Sequence, residues 1–158
     1  MKLTLPPELA EAALFRRGVL IKLTMDFKER GAREKYAVVV SADGAADPLL
    51  LVLTTSNTKW YDEHPDAPGF VRLPAGRVKS LPKATVVNCR DLHRLPRDVV
   101  SQRYQGNVLE YCELLSADVL AEVDVALAGA ITLSPSDKAL VLPAAKVEDA
   151  LALSSLVE

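Results

Sequence analysis

Between Val19 and Phe27 apolar residues occupy the odd positions, Val19, Ile21, Leu23, Met25 and Phe27, with Lys22, Thr24 and Asp26 among the positions between them. Period-two alternation of this kind predicts a strand with one buried and one wet face. Residues 36–40 and 49–53 are instead continuous apolar runs of strand length, separated by Asp43-Gly44 and Asp47-Pro48. They predict two central antiparallel strands. Residues 28–34 alternate in charge around Gly31 without an apolar period, which predicts a mobile loop. A polar, proline-rich stretch covers 56–69 and is followed by short strand candidates at 70–73 and 85–89.

Helical signals lie at the two ends. Pro7-Glu8, with Arg16 and Arg17 before Gly18, has the acid-first, base-last, glycine-stop order of a short helix. Ser116 and Asp118 can cap a second helix, in which Val119, Leu120, Val123, Leu127 and Ala130 recur at helical spacing to about Gly129. A third helical stretch is expected after Pro135, interrupted at Pro143, with Val147, Ala150, Leu151 and Leu153 on its apolar side. Short strands spaced by Gly, Pro and Asp turns favour a small β-barrel over a parallel sheet. The predicted fold class is mainly β with C-terminal α. The predicted organisation is one barrel domain over residues 1–131, with a short N-terminal helix and a C-terminal helix covering one face or mouth, and a helical appendage over 132–158.

Composition narrows the class. With 158 residues, 49% hydrophobic and 25% charged, the chain can bury one real core and is neither disordered nor fibrous. No run of about 18 apolar residues is present and no targeting segment is visible at the N-terminus, so no membrane association and a cytoplasmic location are expected. Cys89 and Cys112 are too few and too far apart for a zinc box or redox pair and read as buried thiols. HExxH, Walker, dinucleotide-glycine and GxSxG motifs are lacking, which lowers the case for zinc proteases, NTPases, Rossmann oxidoreductases and serine hydrolases. Neither a metal nor a cofactor is expected.

Charge is unevenly spread behind the net −2. Residues 1–71 sum to −1, residues 72–103 to +6 and residues 104–158 to −7. The middle segment can offer phosphates a cationic surface while the tail repels them, or its basic residues can be dispersed over solvated turns.

Six strings occur in a fixed order: GVLIKL at 18–23, a charged loop before KYAVVVS at 35–41, Thr54-Thr55 ending a strand, LPAG at 73–76, TVVNCRDLHRL at 85–95 and LSADVLAEVDVAL at 115–127. In order and spacing the set resembles the MazF/PemK-like toxins of type II toxin-antitoxin systems, over about residues 18–128. The resemblance implies an SH3-like small β-barrel with flanking helices, a homodimer, a cognate antitoxin protein as partner, and cleavage of single-stranded RNA without a metal. The family's catalytic pair is an Arg just before the second strand, usually followed by Pro, and a Thr ending the third. Thr55 falls on the threonine position. Lys35-Tyr36 stands where the Arg-Pro pair would be, which keeps the charge but loses the planar fork that clamps a phosphate through two hydrogen bonds. Arg33 on the same loop can substitute, or the fold is kept and cleavage lost.

Metal-free RNA cleavage needs the 2′-hydroxyl polarised, the phosphorane charge neutralised and the leaving 5′-oxygen protonated. A cation and a hydroxyl at adjoining strand ends, Arg33 or Lys35 with Thr55, meet part of that need. The candidate RNA contacts are Lys28 and Arg30 in the charged loop, Lys59 and Trp60, Arg77 and Lys79 in the basic middle, and His93. Trp60-Tyr61 can stack bases beside Lys59 or simply cover the barrel end. His93 can contact phosphate or be an ordinary strand-edge residue, and His64 lies in an exposed turn without metal-binding partners. Two readings remain open: an RNA-cleaving toxin, and a noncatalytic SH3-like module that binds RNA or a protein.

Overall fold

A computed structural model describes residues 6–27 and 31–143. In chain order the described elements are α1 (Pro7–Leu14), β1 (Val19–Phe27), β2 (Gly31–Val39), β3 (Leu49–Thr55), α2 (Lys59–Glu63), β4 (Phe70–Leu73), β5 (Thr85–Leu95), α3 (Arg97–Gln105), β6 (Leu109–Leu114), α4 (Ala117–Gly129) and α5 (Pro135–Val141). All strand pairings are antiparallel, in one sheet of order β4-β5-β3-β2-β1-β6. The protein is therefore mainly β with helices, and β3 and β2 are the central strands as their continuous apolar runs require. Among the described residues β4 and β6 do not pair with each other, so the ladder is an open sheet with two edges.

Strand alternation sorts the apolar side chains into two cores. Leu20, Val38, Leu50, Val52 and Val87 face one side, where Val119, Val123 and Leu127 of α4 and Val141 and Leu142 at the end of α5 cover them. Val19, Ile21, Leu23, Ala37, Val39, Leu49 and Leu51 face the other, under Leu14, Phe15 and Val100 of α3. The wet face expected for β1 is thus covered over its first half: Leu20 is fully buried, and only from Lys22 onward does that face open. Leu133, Val141 and Leu142 belong to the first core, so the described part of 132–158 packs with the same interior as the strands. Residues 144–158, with Val147, Ala150, Leu151 and Leu153, lie outside the described residues.

Five elements depart from the sequence pattern. Gly31 to Glu34, expected in a mobile loop, open β2 and pair in register with β1, from Phe27↔Gly31 to Thr24↔Glu34. Backbone pairing to a strong neighbour holds these residues although they lack an apolar period. β5 runs past Cys89 to Leu95 through a bulge, since Leu51 faces His93 whereas Leu53 faces Asn88. Asn88 holds the bulge by accepting from the Arg90 amide (3.0 Å) and donating to Asp91 (3.1 Å). α2, α3 and β6 have no counterpart in the sequence pattern. α3 buries only Val100 and so carries no apolar stripe to read.

Arg16 and Arg17 do not end α1, which stops at Leu14. Arg17 turns inward: its guanidinium donates to Asp124 of α4 (2.6 Å), to the Val141 carbonyl at the end of α5 (2.7 and 3.0 Å) and to the Val40 carbonyl after β2 (3.3 Å). Gly18 then takes φ +92, and a Cβ there would lie 3.1 Å from the Leu120 side chain, so the turn needs glycine for both conformation and space. Ser116 caps α4 by accepting from the Val119 amide, as its sequence position predicts. Lys138 donates to the Ala128 carbonyl (2.8 Å) near the other end of α4.

Cys89 is buried, and burial pushes its thiol up to about 12. Cys112 is half-buried; burial first, then Glu110, raise it to about 11. Both are protonated near neutrality and poor nucleophiles. No helix among the described residues is long and apolar enough to cross a membrane.

Candidate functional site

β2 and β3 pair from Val39↔Leu51 to Ala37↔Leu53. Lys35 on β2 and Thr55 on β3 lie just beyond the last of these pairs, at the adjoining strand ends. The ladder gives way here to a side-chain bond, Thr54 Oγ1 donating to the Tyr36 carbonyl at 3.0 Å. Beyond it opens a cleft of about 280 Å3, walled by residues 34–36 of β2, residues 54–56 at the end of β3, and Leu81, Pro82, Lys83 and Thr85 leading into β5. Lys35 and Thr55, the two positions singled out from sequence, both line it.

The hydroxyls in this cleft differ in what they can still do. Thr54 is spent on the Tyr36 carbonyl, and Thr85 donates to the Lys83 carbonyl at 2.9 Å. Thr55 Oγ1 accepts from the Asn57 amide at 3.1 Å. A hydroxyl carries one donor as well as lone pairs, and among the described residues the Thr55 O–H keeps its donor for an incoming oxygen. Glu34 brings a carboxylate to the rim, but it is ion-paired with Lys22 at 3.2 Å, and that hydrogen bond raises the Lys22 pKa above its ordinary value. Lys35 and Lys83 bring positive charge from two different elements.

The other predicted residues are distributed as follows. Arg33 is exposed on β2 opposite Met25, two positions outward from Lys35 on the same face and not part of the cleft wall. Lys28 and Arg30 lie outside the described residues. Lys59 and Trp60 open α2, shortly after the Ser56 rim. Trp60, 45% exposed, stacks on His64 (4.2 Å between centroids) and meets Tyr61 and Phe70 edge-on, so one aromatic cluster both covers β4 and leaves indole surface in solvent. Arg77 is ion-paired with Glu122 of α4, and Lys79 is exposed on the loop between β4 and β5.

His93 sits opposite Leu51, on the far side of the bulge from the Thr55 end of β3. Burial lowers its pKa below the ordinary 6.5, with Asp91 opposing. Between the lowered folded value and 6.5 the unfolded chain binds more protons, so stability falls as pH drops through that window. Thermal melts should show this loss below about pH 6.5, and His93→Gln should flatten it.

Sequence reasoning missed Lys83, Tyr36 and Thr54 as parts of the site. Tyr36 and Thr54 come in with the β2–β3 pairing itself, whereas Lys83 depends on the pairing of β3 with β5: Thr55↔Val86 brings the start of β5, and with it Pro82-Lys83, beside the threonine. The charge asymmetry also resolves. Arg77 pairs with Glu122 and Arg94 with Asp137 (3.4 Å), so the acidic C-terminal helices neutralise part of the basic middle segment within the molecule. Arg72, Arg97 and Arg103 donate to backbone carbonyls, and Arg90 packs over Phe70. A larger hollow, about 590 Å3, lies between β4 and α4, but most of its lining is apolar and its Arg72 guanidinium is held by the Tyr61 and His64 carbonyls.

No family model matches this chain, and no curated protein matches it.

Proposed function

We propose that the protein is a toxin-type endoribonuclease of the MazF/PemK-like kind, cutting single-stranded RNA at the cleft between β2, β3 and the start of β5. The observation that carries this reading is the meeting of Lys35 and Thr55 in one cleft, where a cation and a hydroxyl with a donor to spare face the same space. In this reading the open sheet corresponds to the SH3-like barrel of that family.

The chemistry is an internal transesterification. The ribose 2′-oxygen forms a bond to phosphorus and the bond to the 5′-oxygen breaks; the 2′-hydroxyl gives up one proton and the leaving oxygen gains one. The products are a 2′,3′-cyclic phosphate and a 5′-hydroxyl, with no water consumed. The Lys35 ammonium neutralises the charge that builds on the non-bridging oxygens, and Thr55 donates to one of them, both held by strand backbone before the substrate arrives. Lys59 and the exposed part of Trp60 extend the surface along which a strand can lie. A cognate antitoxin and a homodimer belong to the same reading, in which a second copy would meet β4 or β6, the edge strands among the described residues.

The alternative is a noncatalytic module that binds RNA or a protein, favoured by the lysine standing where the family has arginine. One experiment separates them. Pure protein incubated in EDTA with mixed single-stranded RNA, and in parallel with DNA of the same sequence, should fragment the RNA and leave the DNA intact. RNA bound but uncut over hours gives the module; equal cutting of DNA rules out the 2′-hydroxyl mechanism.

A further inference from the structure

Of the eight basic residues between 72 and 103, six are engaged by the chain's own groups, as described above. The remaining two are Lys79 and Lys83, and Lys83 is the one that lines the cleft. Its side chain is exposed and has no carboxylate within ion-pair distance among the described residues.

The backbone beneath it is held firmly. Val78 and Leu81 are 3% and 4% exposed and packed into the first core. Both the amide and the hydroxyl of Ser80 donate to one oxygen of Glu113 on β6, at 3.0 and 2.5 Å. Leu81 donates to the Val78 carbonyl, and the Lys83 carbonyl accepts from Thr85. The loop thus spends apolar burial and a carboxylate on presenting a lysine at a cleft that already holds another lysine.

We propose that Lys83 is a phosphate-binding residue of this cleft, so that an RNA phosphodiester is held by two ammonium groups, Lys35 from β2 and Lys83 from the β4–β5 loop, in place of one guanidinium fork. This rests on the RNA reading of the site and deepens it. It also gives the lysine at the arginine position a physical compensation: two point charges from different elements constrain a phosphate as one point charge cannot.

The test uses the full chain, a fluorescently labelled single-stranded RNA of mixed sequence, and the variants Lys83→Ala and Lys83→Arg. Lys83→Ala should weaken RNA binding roughly tenfold and lower the slope of log affinity against log salt by about one, and Lys83→Arg should restore both. Arg16→Ala, an exposed charge outside the cleft, should leave both unchanged. If the wild type cuts RNA and Lys83→Ala binds and cuts as well as it does with the same salt slope, the proposal is overturned and the nuclease reading stands. If the wild type binds without cutting and Lys83→Ala loses affinity and slope together, the phosphate site stands and the nuclease reading falls. A wild type that does not bind RNA overturns both.

Discussion

If the proposed cleavage is right, Lys35→Ala should lower RNA turnover by about a hundredfold or more, the usual consequence of removing one preorganised group that stabilises an anionic transition state. The structure sharpens why Lys35, rather than Arg33, is the residue to test. Lys35 lines the cleft with Thr55, whereas Arg33 is exposed two positions outward, opposite Met25. Lys35→Arg retains or raises the rate, because a planar fork at that place offers two hydrogen bonds to the phosphate. Arg33→Ala weakens binding and flattens the salt dependence by about one unit of slope while sparing turnover. Thr55→Val removes the hydroxyl at nearly constant volume and reduces turnover more than affinity. Single-turnover rates on one RNA, with melting curves for every variant, measure all of this. Wild-type rates from both Lys35→Ala and Thr55→Val would place the chemistry elsewhere.

Arg17→Ala should cost up to about 3–5 kcal/mol of folding stability, the range for removing one partner of a buried ion pair, which this largely buried pair approaches. Arg17 and Asp124 keep only 13% of their side-chain surface exposed, so the abandoned carboxylate has little water to turn to. The Val141 and Val40 carbonyls lose their donor in the same step. Four places in the fold meet at this guanidinium: the turn into β1, the end of β2, α4 and the end of α5. The melting temperature should therefore fall by roughly ten degrees or more. Arg17→Met with Asp124→Leu should recover part of the loss, since apolar side chains of similar volume suit the site but cannot bond the carbonyls. Arg94→Ala, which breaks an exposed pair with Asp137, should cost less than about 1 kcal/mol.

The strands were legible where burial wrote a pattern. Continuous apolar runs at β2 and β3 announced central strands, and Ser116 announced the start of α4. What stayed hidden depended on contacts distant in sequence. Residues 31–34 are strand because β1 pairs with them, α3 rests on a single buried valine, and β5 continues past Cys89 because Asn88 holds a bulge. The site shows the same division. Lys35 and Thr55 could be picked out as charged and hydroxyl residues at strand ends. Lys83 could not, because only the β3–β5 register brings it beside Thr55. Nor does local sequence distinguish Lys83 from Arg77 a few residues earlier, whose charge is taken by Glu122 from α4.

The central claim is that the cleft directs a 2′-hydroxyl onto its neighbouring phosphate, and the chemical identity of the cut ends tests it most directly. Mass spectrometry of fragments produced in EDTA should find 2′,3′-cyclic phosphate on one side of each cut and 5′-hydroxyl on the other. Fragments ending in 3′-hydroxyl and 5′-phosphate would mean that water or another nucleophile attacks phosphorus, and would contradict the mechanism.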